Sequence, residues 1–312
     1  PGGCSIGKRP IDLHLMALRS LGAEIHETED YLDAECNRFY AKEIFFSKSS
    51  VGATQQAVLA ATQADGISYL HNCAKEPEVF WLCRYLRMMG AMIEGEETGE
   101  IRIQGVSELG PGDYEIPPDR IVAGTYICAA AAARSEITLQ NVPTEELEAF
   151  LEVYQKMGGQ YEANSGTLEV NGKKAVRPVS LVKTGTYPGF PTDLQAPLMA
   201  VLAGIPGQSV IRERIFDRRF GSAFQMNKMG ADIRINGDMA VISGGRPLTG
   251  MQVQAGDLRG GAALIIAALI AEGETCIAEA GFINRGYEHI CEDLQALGCR
   301  IWQSSSRGFG DL

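Results

Sequence analysis

The 312-residue chain has no Cys-x-x-Cys pair, and none of its eight cysteines stands at metal-ligand spacing from its four histidines. Zinc ribbons, zinc fingers and dithiol redox motifs are thereby set aside. Thiols that do not pair fit a reducing cytosol, where a buried cysteine acts as a small hydrophobe. Long apolar runs are also missing. The longest, near Ala262–Ala271 and Ile127–Ala133, fall far short of a bilayer span. A basic excess is missing too: 28 Lys and Arg face 39 Asp and Glu, a formal charge of −11. That balance argues against a nucleic-acid surface, which would want a basic face. Small anionic ligands are still admitted, because they answer to a few local arginines rather than to net charge. No secretory leader pattern is visible in the residues given.

What is abundant is repetition. Five times a helical stretch ends in Leu or Met, then Gly, a small residue and a short strand: Leu21-Gly22, Met89-Gly90, Met157-Gly158, Met229-Gly230 and Leu297-Gly298. The glycines are 68, 68, 72 and 68 residues apart. Regularity on that scale means one folding unit used repeatedly. The glycine predicts a left-handed residue that ends a helix and turns the chain into a strand. Four Ala-rich stretches, 51–64, 121–133, 194–203 and 258–271, are apolar nearly all round and predict helices buried on every side. Second helices such as 146–157 and 287–297 carry the one-sided stripe of an outer helix. The chain therefore reads as an α/β protein of units of about 70 residues.

Gly110-Pro111-Gly112 and the pair Pro117-Pro118 suggest a linker. The expected domains are 1–116, with one and a half units, and 117–302, with three, followed by a flexible tail, 303–312. The first unit lacks its buried helix and first strands, so the chain is expected to start within a unit.

The opening, Pro1-Gly2-Gly3-Cys4-Ser5-Ile6-Gly7-Lys8-Arg9, is a glycine-rich loop holding a thiol and two cations before a helix. Nearby cations and a helix start lower a thiol's pKa. An exposed cysteine in a mobile loop fits equally well on spacing alone. Asp119, Asp193 and Asp257 each open an Ala-rich helix, where a cap is worth about 1 kcal/mol.

The stretch from Pro1 to His14 closely resembles the active-site loop of the UDP-N-acetylglucosamine 1-carboxyvinyltransferase family. The likeness continues through Ser50-Val51-Gly52-Ala53-Thr54, Phe190 to Ala196, Asp257-Leu258-Arg259 and Asn284-Arg285-Gly286-Tyr287-Glu288. It implies an inside-out α/β barrel of two domains, with helices inside and sheets outside. The implied reaction moves the enolpyruvyl group of phosphoenolpyruvate to the 3-hydroxyl of UDP-N-acetylglucosamine, in the first committed step of peptidoglycan precursor synthesis. Neither metal nor organic cofactor is implied.

By resemblance Cys4 is the general acid, Asp193 the hydroxyl's base and Arg285 a catalytic cation. Arg9, Arg219 and Arg259 complete the anion-binding set, since a guanidinium fork fits phosphate and carboxylate. The nucleotide sugar is assigned to Arg9, Pro10, Ile11, Asp12 and Leu13, to Lys48, Ser49, Ser50 and Val51, and to Ile215. Ser50 also reads as an ordinary helix cap. Phe282 and Asn284 stand where the family usually has His and Asp. The family's substrate-touching N-terminal lysine and asparagine fall outside the sequence, so the chain as given is expected to be inactive. The rivals are the sister transferase acting on shikimate 3-phosphate and a non-catalytic fragment or paralogue.

Overall fold

The computed structural model describes residues 10–304. Cys4, Arg9 and most of the expected tail lie outside the described residues. Two kinds of helix alternate along the chain: α1 (Asp12–Ser20), α2 (Val51–Ala61), α3 (Pro77–Met88), α4 (Arg120–Ala132), α5 (Glu148–Lys156), α6 (Gln195–Ala203), α7 (Gly221–Lys228), α8 (Leu258–Ala268) and α9 (Ile290–Ala296). The even-numbered ones are the Ala-rich stretches. Every residue of α6 is buried, and α4 leaves only Val122 and Tyr126 partly open. Helices sunk this far have no polar face to show, which is why their sequences have no stripe.

The odd-numbered helices lie outside and share one ending. Gly22, Gly90, Gly158, Gly230 and Gly298 follow them with φ of +110°, +103°, +95°, +104° and +94°. The next N–H in each case bonds back to the carbonyl five residues earlier: Ala23 to Leu18, Ala91 to Leu86, Gly159 to Tyr154, Ala231 to Met226 and Cys299 to Leu294, at 2.9–3.1 Å. These are five Schellman endings, and only a residue at ease with positive φ makes them without strain.

The sheets repeat as well. Strands Glu43–Phe45, Ile67–His71, Ile101–Gln104 and Met92–Glu94 lie side by side in that order, the first pair parallel and the rest antiparallel. Val182–Lys183, Gly207–Arg212, Met239–Gly244 and Ile233–Asn236 reproduce the same order and sense. Glu136–Leu139, Thr167–Asn171 and Gln160–Asn164 form a three-stranded antiparallel version. Shorter pairs complete the set: Glu24–Glu27 with Leu32–Glu35, Leu248–Thr249 with Ala271–Glu272, and Gln252–Gln254 with Cys276–Ala278. Open sheets thus surround buried helices, an inside-out α/β arrangement.

Several element bounds differ from the sequence reading. The expected helix 146–157 enters through a 3-10 turn at Thr144–Leu147, and the expected 287–297 starts only at Ile290. Tyr287 is instead a buried side chain packed beneath an arginine. The stretches 51–64 and 258–271 stop being helical at Ala61 and Ala268.

Buried apolar side chains form two clusters, one drawn from residues 13–103 and one from 121–294. Between them, residues 105–119 carry no helix or strand. Polar contacts join the two sides: Arg120 Nε lies 3.1 Å from Glu78 Oε1, and Trp81 Nε1 donates to Glu146 at 2.9 Å. Among the described residues no helix is long and apolar enough to cross a membrane.

Candidate active site

Helices α4, α6 and α8 begin near one another. At α4 the Asp119 carboxylate accepts from the N–H of Ile121 at 2.7 Å and Val122 at 3.0 Å. At α8 Asp257 accepts from Arg259 at 3.1 Å and Gly260 at 3.0 Å. The opposite ends converge too, since Ala131, Ala132, Val201, Gly204 and Ile270 line one cavity. The gathered starts concentrate N–H groups and the positive ends of three helix dipoles, a setting that favours anions.

The start of α6 breaks the pattern. Asp193 lies in a 3-10 turn, Thr192–Leu194, and Leu194 precedes the helix with no side-chain cap. The expected Asp193 cap is therefore corrected. Its carboxylate turns to two guanidiniums instead, which outcompete neutral amides for a charged acceptor. Arg219 Nη2 lies 2.5 Å from Oδ1, while Arg259 Nη2 and Nε each lie 3.3 Å from Oδ2. The two arginine side chains are 4% and 12% exposed and Asp193 is 37% exposed, so the carboxylate is the part that meets solvent.

Arg259 is braced from below. Its guanidinium sits 5.3 Å from the centre of the Tyr287 ring, and the Tyr287 hydroxyl lies 2.8 Å from Thr125 Oγ1 of α4. Burial pushes the Tyr287 phenol up, with Arg259 opposing. Burial also works against the charge on Arg259, but Tyr287 and Asp193 outweigh it and its pKa rises, so the cation is kept. Arg219 lies over Phe216, 5.4 Å from the ring centre. Two buried nitrogens, Arg219 Nε and Arg259 Nη1, have no hydrogen-bond partner among the described residues. Buried donors are rarely left unused. Two cations against one carboxylate, with donors to spare, make a corner fit for an oxyanion.

Arg285 ends the 3-10 turn Ala280–Arg285 and is exposed. Gly286 follows it and packs on α8: a Cβ there would come within 3.0 Å of Leu258 and 3.4 Å of Arg259 Nη1. The turn bearing Arg285 therefore borders the Asp193 corner. Half-exposed Ile215 lies in the loop that leads to Arg219, and its N–H bonds to buried Glu213.

The remaining expected contacts belong to the first half of the chain. Pro10 and Ile11 lead into α1, which Asp12 and Leu13 begin, with Pro10 and Asp12 exposed. Leu13 is buried in the first cluster, so its side chain packs the interior and its backbone is the part left for a ligand. Lys48, Ser49, Ser50 and Val51 lead into α2, where Ser50 Oγ accepts from Ala53 N–H at 3.5 Å. The two segments are neighbours: a Cβ on Gly52 would come 2.7 Å from His14 Nε2.

Two residues on the Asp193 side have no role that the sequence motifs assign. Tyr287 stands in the Asn284–Glu288 motif, which does not mark it as the platform for Arg259. Glu213 belongs to no motif, although it continues the alternation of the strand that ends at Arg212, on the face of Ser209 and Ile211, and all three are buried.

Comparison with known proteins gives the family and the fold. A family model described as EPSP synthase (3-phosphoshikimate 1-carboxyvinyltransferase) matches residues 1–294. UDP-N-acetylglucosamine 1-carboxyvinyltransferase 2 of Caldanaerobacter subterraneus subsp. tengcongensis is 45% identical over 301 residues, covering 96% of this chain and 72% of the relative. The UDP-N-acetylglucosamine 1-carboxyvinyltransferase of Koribacter versatilis is 44% identical, covering 96% and 69%. The fold resembles that of the enolpyruvyl transferase NikO from Streptomyces tendae, with a TM-score of 0.83 at 23% identity over 97% of this chain and 74% of that one. EPSP synthase from Acinetobacter baumannii gives 0.70 at 20% identity over 95% and 72%. With these matches spanning nearly all of its residues, the chain belongs to the EPSP synthase family of carboxyvinyltransferases.

Proposed function

We propose that the chain transfers the enolpyruvyl group of phosphoenolpyruvate to the 3-hydroxyl of UDP-N-acetylglucosamine, with release of phosphate, in the cytoplasm. The carrying observation is the Asp193 corner: a solvent-facing carboxylate between two buried guanidiniums that have N–H donors left over. The sugar is favoured as acceptor because curated relatives at 42–45% identity bear that substrate in their names.

In this reading Arg219, Arg259, Arg285 and Arg9 hold the phosphate and carboxylate of phosphoenolpyruvate. Asp193 orients the acceptor hydroxyl and takes its proton as the new C–O bond forms. Cys4 supplies the proton to the methylene carbon, giving a tetrahedral adduct. In the second step the C–O bond to phosphate breaks, the new methyl group returns a proton to the Cys4 thiolate to restore the double bond, and the proton held by Asp193 leaves with the phosphate. Residues 10–13, 48–51 and Ile215 contact the nucleotide sugar, in a cleft between a first domain ending at 116 and a second running from 117 to 302.

A second reading, with shikimate 3-phosphate as acceptor, has the family model's own description in its favour. Calorimetry with each acceptor decides between them, alongside phosphate release from phosphoenolpyruvate. Because the relatives extend beyond the matched part, turnover is measured for this chain and for a fusion to the relative's unmatched segment. Binding of the nucleotide sugar and not of shikimate 3-phosphate is expected; the reverse preference refutes the proposal.

A further inference from the structure

Glu213 is 3% exposed, and its carboxylate accepts from four donors on three separate segments. Oε1 takes the Thr184 hydroxyl at 2.8 Å, the Ile215 N–H at 2.7 Å and the Phe216 N–H at 3.2 Å. Oε2 takes the Thr192 hydroxyl at 2.8 Å. Thr184 is buried as well, and its hydroxyl in turn accepts from the Arg214 N–H at 2.8 Å.

These donors are arranged with consequence. Thr192 precedes Asp193 in the 3-10 turn that takes the place of a helix cap. Ile215 and Phe216 begin the loop that ends at Arg219, the arginine gripping Asp193 from the other side. The same loop walls a cavity of about 450 Å³, bordered by Glu213, Arg214, Phe216, Asp217, Phe220 and Asp238. One buried carboxylate therefore fixes both the turn carrying Asp193 and the loop carrying its partner. A charge held this deep is tolerated only when its lone pairs are taken up, so the arrangement has little freedom to shift.

We propose that Glu213 is a positioning residue for the transfer reaction, setting the aim of Asp193 through Thr192 and the acceptor-facing loop through Ile215 and Phe216. The assignment rests on the reaction proposed above. It divides the carboxylate's work in two. Oε2 serves the reacting carboxylate, and Oε1 serves acceptor binding.

The experiment combines amide hydrogen exchange, calorimetry with UDP-N-acetylglucosamine and turnover, on the chain and its fused form. Glu213→Gln replaces an acceptor oxygen with a donor. It is expected to speed exchange at the Ile215 and Phe216 amides about tenfold or more, and to weaken sugar binding similarly, as for one lost charge-assisted hydrogen bond. Thr192→Val is expected to lower kcat about tenfold with sugar affinity and loop exchange kept. Thr184→Val is expected to weaken the sugar with kcat kept. Should Glu213→Gln fail to fold, the two threonine variants still separate the halves. Unchanged exchange at Ile215 and Phe216 in Glu213→Gln overturns the proposal. So do threonine variants whose kcat and affinity fall together in step with their melting temperatures. A wild-type protein that binds no nucleotide sugar overturns the proposed reaction instead, while amide exchange still decides the role of Glu213 in the loop.

Discussion

Arg219 Nη2 and Asp193 Oδ1 lie 2.5 Å apart although 26 residues separate them in sequence. The pair is lopsided: the guanidinium is buried and the carboxylate half-open. Replacing Asp193 by Asn leaves two buried cations facing each other through a neutral amide, and puts N–H groups against N–H groups. Asp193→Asn is expected to lose about 1–3 kcal/mol of stability in urea unfolding and to lower turnover about a hundredfold or more, as removal of a charge aimed at the reacting centre does. Near-native turnover in this variant would show that Asp193 only braces the arginines.

The five helix-ending glycines are not equal. Gly90 has φ +103° with nothing within 4 Å of an added Cβ, whereas Gly158 has φ +95° and its Cβ would meet Lys174 O at 2.4 Å. Gly90→Ala is expected to cost about 1–2 kcal/mol, the left-handed penalty alone. Gly158→Ala is expected to cost clearly more, because backbone must move as well. Equal losses in paired urea titrations would show that the contact at Gly158 yields freely.

Thiol chemistry should divide the cysteines by depth. Burial pushes the thiols of Cys73 and Cys83 up to about 12, and Cys128 higher than its ordinary value, while Cys36 is exposed. At pH 8 only about one in ten thousand of the Cys73 and Cys83 thiols is ionised. Iodoacetamide on the native protein, followed by peptide mass analysis, is expected to label Cys36 and spare Cys73, Cys83 and Cys128 until denaturant is added.

His14 gives the fold a dependence on acidity. Burial lowers its pKa from the ordinary 6.5, with the Asp12 charge opposing. Between that lowered value and 6.5 the unfolded chain binds a proton more readily than the folded one, so stability falls as pH drops through the window. The contribution is complete above pH 6.5. Urea midpoints at pH 7.5 and 5.5 are expected to lie further apart in the wild type than in His14→Gln.

How much of this was legible depends on whether the signal is periodic. The repeat was plain, because each outer helix ends on a glycine doing the same conformational job and the buried helices have no polar face to disguise them. Asp119 and Asp257 cap their helices as local sequence suggests. Asp193 does not, because its partners come from a loop and a helix 26 and 66 residues away, which no local rule reports. Glu213 hid for a different reason. Between Arg212 and Arg214 it reads as part of a solvated charge run, and only the alternation along its strand betrays an inward face.

The shared origin of α4, α6 and α8 also has a standing electrostatic cost. Like poles set side by side repel. With the buried Arg219 and Arg259 added to three helix ends of about half a charge each, the positive side still outweighs Asp119, Asp193 and Asp257. Multivalent counter-ions are thus expected to act as a glue for this lobe: sulfate at low millimolar levels should raise its melting temperature where equimolar chloride does not. The region that looks most hospitable to an oxyanion is, by the same reasoning, the one whose own cohesion depends most on salt.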